Sequence, residues 1–155
     1  MQNLIKDTSL EAAVKKIAES INASEGLSTE TYTEEDLFYL YNLGYKFYGV
    51  DDFPKSEKIF RRLVVAKPFD VRYWQALGST LQMQKNYENA LLAWSMCALL
   101  NKEAPEYHLY AACCLKSQGE SDQAIKALTL ADKIAKEDSP FRGKIQAYKE
   151  AWGIK

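Results

Sequence analysis

The chain contains 155 residues, close to the usual size of one domain, and its charges nearly balance at a net charge of −1. Acidic and basic residues are interspersed, so the sequence offers neither a basic face for nucleic acid nor an acidic tail. No apolar run approaches the length of a membrane span, and the first residues lack the apolar core of a signal peptide, which favours a cytoplasmic location.

The first predicted element is an amphipathic helix. Thr8 and Glu11 have the spacing of a capping box, so a helix is expected from about Ser9 to Asn22. Its apolar residues form one narrow stripe, made of Leu10, Val14, Ile17 and Ile21. Because so narrow a stripe cannot form a core alone, we expect it to pack on its own chain or on a second subunit.

The stretch 37–48, LFYLYNLGYKFY, predicts a helix with two apolar faces. Thr33 and Asp36 form a second capping box in front of it. One stripe, expected to be buried, consists of Leu40, Leu43 and Phe47. The other stripe consists of Tyr41, Tyr45 and Tyr48. A surface helix usually carries charge on its second face, so three tyrosines there indicate a binding surface.

Capping and turn residues predict further helices along the chain. The next three run from about Phe53 to Lys67, Val71 to Gln84 and Tyr87 to Leu100. Pro105 suits a first helical position. Gly119 then turns the chain, and Ser121 is expected to cap a helix that ends near Ala135.

A repeat of 34 residues governs the middle of the chain. Small residues recur where two helices must approach closely, and large residues recur between them. The five columns are Gly44, Gly78 and Ala112; Phe47, Leu81 and Leu115; Ser56, Ala90 and Ala124; Phe60, Trp94 and Leu128; and Leu63, Cys97 and Ala131. Together with the motifs L-x-x-L-G-x-x-F and W-x-x-L-G-x-x-L, these columns resemble tetratricopeptide repeats.

This resemblance implies an all-α fold of three tetratricopeptide repeats stacked as an α-α superhelix, with an N-terminal helix and a C-terminal capping helix. The implied divisions are an N-terminal helix and linker (1–33), three repeats within 34–136 (37–70, 71–104 and 105–136), and the capping helix (137–155). Ser139-Pro140 opens this last helix, which runs to about Trp152. Its Ile145, Tyr148 and Trp152 are expected to cover the open end of the stack.

Chemically reactive residues are few. The single histidine, His108, has no cysteine or acid at metal-ligand spacing, and Cys113 points in a different direction from the same helix. With Cys97 and Cys114 the cysteines number three, without C-x-x-C spacing, which favours reduced thiols. No phosphate-binding loop or hydrolase motif occurs. We therefore expect no enzymatic activity, no cofactor and no metal site.

Binding is the remaining function, and the repeat architecture implies its place. The first helix of each tetratricopeptide repeat lines a concave groove. The groove columns here hold Tyr41, Tyr45 and Tyr48; Gln75, Ser79 and Gln82; and Leu109, Cys113 and Lys116. An apolar groove rimmed by hydroxyl groups suits an extended peptide with apolar anchors. In the alternative, the tyrosines pack beneath the N-terminal segment, against Leu27 or Tyr32, and leave no site.

One family resembles the chain over nearly its whole length, the class II chaperones of bacterial type III secretion. The family motif L-Y-x-L-A-x-x-x-Y matches residues 40–48, with glycine in place of alanine, and L-G-x-x-x-Q-x-x-x-x-Y matches residues 77–87. The block P-x-F-x-x-H-A-A-E-C-L matches residues 105–115 with Tyr107 in place of phenylalanine, and its two main departures are Tyr110 in place of histidine and Cys113 in place of glutamate. Both departures lie on or beside the expected groove.

The resemblance implies a chaperone that binds an extended apolar segment of hydrophobic translocator proteins and keeps them soluble and secretion-competent in the bacterial cytoplasm. It implies neither nucleic-acid binding nor stable membrane insertion. It also implies a homodimer formed through the N-terminal stripe. The alternative is a repeat scaffold or adaptor of a secretion machine without chaperone activity. A clamp for the carboxylate of a heat-shock protein is disfavoured, because Tyr41 and Tyr45 stand where it needs lysine and asparagine.

Overall fold

The computed structural model describes residues 12, 15–19 and 31–155. Residues 31–155 form seven α-helices and no strand, which confirms the all-α prediction. The helices are α1 (Glu34–Gly49), α2 (Phe53–Ala66), α3 (Val71–Met83), α4 (Tyr87–Leu100), α5 (Pro105–Ser117), α6 (Ser121–Ile134) and α7 (Arg142–Ala151). The starts of α2, α4 and α6 are 34 residues apart, as the repeat period requires.

Residues 15–19 of the N-terminal segment are helical, within the predicted helix. Ile17 is half-buried, and Ala18 is only 2% exposed, so this face of the segment is covered within a single chain. The predicted capping box at Thr8 and Glu11 lies outside the described residues. So do the remaining stripe residues and the predicted tyrosine partner, which are Leu10, Val14, Ile21 and Leu27.

α1 begins with the predicted capping box. Thr33 Oγ1 accepts a hydrogen bond from the Asp36 amide at 3.1 Å, and the Thr33 amide donates to Asp36 Oδ2 at 2.9 Å. The hydrogen bond from the Thr33 amide, followed by the interaction with the Thr33 side chain, lowers the pKa of the Asp36 carboxyl below its ordinary value. The box therefore defines the start of the helix that carries the three tyrosines.

The two helices of each pair are joined by a turn with one residue in the left-handed conformation. The angle φ is +60° at Asp51 and Lys85 and +83° at Gly119, three positions separated by the repeat period. After the first two turns, the side chains of Asp52 and Asn86 cap α2 and α4 by accepting backbone hydrogen bonds.

α6 and α7 begin differently from their predictions. Ser121 is the first residue of α6 rather than its cap, and its hydroxyl accepts a hydrogen bond from Lys116 Nζ at 3.2 Å. α7 begins at Arg142 rather than at Ser139-Pro140, because Ser139 belongs to a turn. Its Oγ accepts a hydrogen bond from the Phe141 amide at 3.3 Å. The predicted capping function of Ser121 is therefore wrong.

The chain divides into two compact units, residues 1–80 and 81–155, called here the N-terminal unit and the C-terminal unit. In the N-terminal unit, α1 packs against a buried face of α2 that consists of Ser56, Ile59, Phe60, Leu63 and Val64. The buried Ser56 hydroxyl lies 3.3 Å from Thr80 Oγ1, which donates to the Ala76 carbonyl at 2.9 Å. These two buried hydroxyls are thus hydrogen-bonded.

In the C-terminal unit, α5, α6 and α7 share one hydrophobic core. Its buried residues are Leu109, Ala112, Leu128, Ala131, Ala135 and Ile145. Tyr148 and Trp152 pack against this core, as predicted for the capping helix. Apart from the half-buried Phe47, the repeat columns are also buried as predicted, and their small members Ala90 and Ala124 have no exposed surface.

Asp132 of α6 attaches α7 by polar contacts. Its Oδ1 accepts from Arg142 Nη1 at 2.6 Å and from Gln146 Nε2 at 3.0 Å, and its Oδ2 accepts from Lys149 Nζ at 2.6 Å. The hydrogen bond from Lys149, followed by the positive charges of both basic residues, lowers the pKa of the Asp132 carboxyl. One carboxylate therefore contacts three residues of the terminal helix.

Candidate functional site

The three tyrosines of α1 form an aromatic cluster with residues of the same unit. The ring centroids of Tyr41 and Tyr45 are 5.0 Å apart, and those of Tyr45 and Tyr48 are 6.2 Å apart. Tyr45 meets the Phe60 ring edge to face at 5.2 Å, and Tyr41 lies 5.6 Å from Tyr73. We call these five residues the tyrosine cluster. Edge-to-face contacts of this kind hold aromatic rings in defined orientations.

The tyrosine cluster is accessible on its outer side. Tyr45 is 39% exposed, and Tyr41 and Tyr48 are half-buried, whereas Phe60 beneath them has no exposed surface. Burial raises the pKa of the Tyr45 hydroxyl well above its ordinary value, with a further contribution from its hydrogen bond to Tyr41. The hydroxyl is therefore neutral at physiological pH, and the cluster presents an uncharged aromatic surface.

Gly44 explains why Phe60 lies beneath the tyrosines. A β-carbon at position 44 would be 2.6 Å from Phe60 Cε1, so only glycine lets α1 approach α2 this closely. The face of α1 turned to α2 contains Leu37, Tyr41, Gly44 and Tyr48, at helical spacing. The predicted buried stripe of Leu40, Leu43 and Phe47 is only half-buried. The assignment of the two stripes was therefore partly wrong, because the tyrosines also pack on α2.

A fixed cation borders the tyrosine cluster. The Arg72 guanidinium carbon lies 6.0 Å from the Tyr41 ring and 5.8 Å from the Tyr73 ring. Asp70 holds this group in two contacts, Nε to Oδ1 at 3.0 Å and Nη2 to Oδ2 at 2.6 Å. These hydrogen bonds lower the pKa of the Asp70 carboxyl. The aromatic surface therefore has a polar, nearly neutral edge.

The predicted groove residues of the second repeat belong to both units. Gln75 is exposed and Ser79 is half-buried in the N-terminal unit. In the C-terminal unit, Gln82 Oε1 accepts a hydrogen bond from Trp94 Nε1 at 3.0 Å. This bond orients the Gln82 side chain, with its amide hydrogens available to an acceptor. Its orientation could not be predicted, because it depends on an indole twelve residues away.

The predicted residues of the third repeat have different surroundings. Leu109 has no exposed surface and belongs to the core of the C-terminal unit, so its assignment to a binding surface is wrong. Cys113 is half-buried and interacts with the Tyr148 hydroxyl. Lys116 is exposed, with Nζ 5.4 Å from the Trp152 ring. Leu109 is covered by the terminal helix, which its local sequence could not reveal.

Tyr110, which differs from the family motif, packs among aromatic residues that are not part of the tyrosine cluster. Its ring lies 4.7 Å from Trp94 and 6.4 Å from Phe141, and Lys144 Nζ lies 5.5 Å from its centroid. The family motif places Tyr110 on or beside the expected groove, but the sequence does not identify its aromatic partners. The aromatic residues of the last predicted helix are the feature of the sequence that could have indicated these partners.

Reactive groups in the described residues are placed for packing. No group of three His, Cys, Asp or Glu side chains in residues 31–155 or the described N-terminal helix could hold a metal ion. Burial lowers the pKa of His108 and raises the pKa of Cys114 to about 12. Burial also raises the pKa of Cys97, and all three cysteines are free thiols. None of the helices described has the length and apolar character needed to span a membrane.

No protein-family model matches the chain. Among curated proteins, the low calcium response locus protein H of Yersinia pestis is 27% identical over 110 residues, which cover 71% of this chain. The match spans 66% of the length of that relative.

Solved structures also resemble this chain. SycD, the type III secretion translocator chaperone of Yersinia enterocolitica, in complex with a peptide of the translocator YopD, has a TM-score of 0.73 and 26% identity, covering 78% of this chain and 95% of that chain. SycD has also been solved as an alternative dimer. PcrH, a protein of Pseudomonas aeruginosa, in complex with the chaperone binding region of PopB has a TM-score of 0.68 and 30% identity, covering 78% and 97%.

Proposed function

Because this chain belongs to the family of type III secretion translocator chaperones, we propose that it binds an extended apolar segment of hydrophobic translocator proteins. Binding keeps these clients soluble and secretion-competent in the bacterial cytoplasm. It requires contacts alone, so the proposal includes no enzymatic activity and no cofactor. The proposed partners are therefore translocator proteins, together with a second copy of this chain.

The tyrosine cluster is the observation that carries this proposal. Tyr45 offers an accessible aromatic ring, and its position is defined by ring contacts to Tyr41, Tyr48 and Phe60. Rigid aromatic side chains with neutral polar tips make effective anchors, because little conformational entropy is lost when a ligand binds them. The relatives solved with a translocator peptide or a chaperone binding region support a peptide as the ligand.

We assign the client contacts separately within each unit. In the N-terminal unit they are Tyr41, Tyr45, Tyr48, Gln75 and Ser79. In the C-terminal unit they are Gln82, Cys113 and Lys116. Leu109 leaves the set because it is buried. Gln82 is suited to donate its amide hydrogens to a client carbonyl, because Trp94 already occupies its oxygen.

Substitution of Tyr45 by glutamate tests the proposal. The client is first identified by co-purification from the native bacterium and mass spectrometry, and its bound segment is then synthesised with a fluorescent label. We expect Tyr45→Glu to weaken binding at least about tenfold, because burying an aromatic anchor contributes roughly 1.5–3 kcal/mol. Fluorescence anisotropy measures the affinity, and circular dichroism establishes that the variant remains helical.

Tyr39→Glu is the matched control. Tyr39 lies on the same helix and is 65% exposed, but it forms none of the ring contacts of the tyrosine cluster. The same charge is thus introduced on another face, and client affinity should stay close to that of wild type. If folded Tyr45→Glu retained full affinity, the alternative of a scaffold that does not grip a peptide would be favoured.

A further inference from the structure

Three side-chain contacts join α5 to the terminal helix along one face of the C-terminal unit. They pair Tyr110 with Lys144, Cys113 with Tyr148, and Lys116 with Trp152. The α5 members follow one another at intervals of three residues, and the α7 members at intervals of four. We call these six residues the α5–α7 face. Helical geometry aligns both sets of side chains into one row of contacts.

The α5–α7 face is partly open to solvent. Its aromatic rings and Cys113 are half-buried, and its two lysines are exposed. The apolar surface therefore lies between two positive charges, one beside Tyr110 and one beside Trp152. A ligand that covers this face must supply apolar atoms at the centre and negative charge at both ends.

The two lysines lack acidic partners in the described part of the chain. Lys116 donates to the Ser121 hydroxyl, and each ammonium group lies against an aromatic ring. Asp132, a carboxylate of the same unit, is occupied by Arg142 and Lys149. Glu106 acts electrostatically on Tyr110 but forms no ion pair with either lysine. The charge on this face is therefore available to a partner.

We propose that the α5–α7 face binds an acidic stretch of the client, in which two carboxylates flank an apolar residue and pair with Lys116 and Lys144. This inference rests on the proposed chaperone function and specifies the chemistry of its client. The carboxylates contact the lysines, and the apolar residue covers Cys113 and Tyr148. Charge complementarity at the rim of an apolar contact selects the partner and its register.

Helix geometry predicts the spacing of the two acids. Tyr110 and Lys116 are six residues apart on α5, which corresponds to about 9 Å along the helix axis. An extended peptide advances roughly 3.3 Å per residue, so about three residues span this distance. The expected pattern is an Asp or Glu, two residues of which one is apolar, and a second Asp or Glu.

Charge reversal in the full-length protein tests this assignment. The probe is the labelled client segment recovered by co-purification, with a second version in which each Asp and Glu is replaced by Asn and Gln. We expect Lys116→Glu and Lys144→Glu each to lower the affinity for the acidic probe at least about fivefold. The salt dependence of binding should fall in parallel, because fewer charges are paired. Each variant should change the affinity for the neutral probe less than it changes the affinity for the acidic probe.

Lys126→Glu is the matched control, because Lys126 is an exposed lysine of α6 in the same unit. Lys126→Glu introduces the same charge change outside the α5–α7 face, so this variant should bind the acidic probe with wild-type affinity. A probe with both acids replaced by lysine should recover affinity for the double variant Lys116→Glu/Lys144→Glu, which separates charge pairing from general damage to the fold.

The possible outcomes separate this inference from the proposed function. If Tyr45→Glu abolishes binding while both charge reversals match Lys126→Glu, the acidic-client assignment is overturned and the chaperone function stands. If wild-type protein binds no client, both are overturned. If charge reversal changes only the sedimentation of the protein alone, a second copy occupies the face, and the assignment also fails.

Discussion

Gly44 shows how one residue determines the candidate site of the N-terminal unit. The absence of a side chain allows the Phe60 ring to fill the contact between α1 and α2. The same ring lies against Tyr41 and Tyr45, so the close approach of the helices also determines the position of these two tyrosine rings. A stability determinant and the proposed binding surface therefore share one buried ring.

Substitution of Gly44 by alanine should destabilise the fold. The new methyl group would lie 2.6 Å from Phe60 Cε1, and the buried ring cannot move without displacing Tyr41 or Tyr45. Overpacking of this kind costs about 1–3 kcal/mol, which chemical denaturation measures as a lower midpoint. Client affinity should also fall, because the tyrosines shift with Phe60.

Gly49→Ala is the control for this prediction, because nothing lies within 4 Å of the added atom. Gly49 ends α1, and alanine in a helix is more stable than glycine by roughly 0.5–1 kcal/mol. Gly49→Ala should therefore be neutral or stabilising. Equal effects of the two substitutions would show that the close contact with Phe60 does not limit stability.

At the scale of elements, the turns between paired helices share one backbone conformation, although their sequences differ. Asp51, Lys85 and Gly119 all adopt a positive φ, although only one of them is glycine. The other two carry the cost of a left-handed conformation, which the flanking helix contacts must offset. The repeat therefore imposes the turn on residues that favour it less than glycine does.

The attachment of α7 should depend on the charge of Asp132. At neutral pH its carboxylate accepts hydrogen bonds from Arg142, Gln146 and Lys149. Asp132→Asn should cost about 1–2 kcal/mol of unfolding free energy, because it weakens contacts to charged donors at a partly exposed site. Asp138→Asn, in the exposed turn before α7, is the control and should have little effect.

The effect of Asp132→Asn should also depend on pH. The folded state lowers the pKa of Asp132, so its stabilising contribution is fully present above the unfolded pKa, about 3.9. The contribution is lost as the pH falls through the lower, folded pKa. The difference in unfolding free energy between Asp132→Asn and wild type should therefore be smaller at about pH 3 than at pH 7, as chemical denaturation at the two pH values measures. A difference independent of pH would contradict the ionic role of Asp132.

At the scale of the whole molecule, the N-terminal segment is the predicted site of self-association. Ala18 is buried within one chain, so part of the segment already packs in cis. The predicted dimer contacts at Leu10, Val14, Ile17 and Ile21 remain predictions, as does the division of the chain at residues 33 and 136. The alternative dimer of SycD supports self-association as a property to test.

Deletion of residues 1–22 should abolish a concentration-dependent homodimer. Sedimentation velocity of the full chain is expected to show faster sedimentation as concentration rises, because the apolar stripe on its helix is then shared between subunits. The shortened chain should sediment as a monomer throughout. Full-length protein that stays monomeric at high micromolar concentration would contradict the dimer. Repeating both series with bound client tests whether client and second subunit compete.

Local spacing by itself determined the helices, the cap at Thr33 and the buried repeat columns, because these features depend on residues a few positions apart. Only the tertiary structure decided which face of α1 meets Phe60 and that α7 covers Leu109. It also decided the row of contacts between α5 and α7. A helical period places side chains on a common face, but the element that covers this face comes from distant sequence, and its packing depends on the shapes of both surfaces.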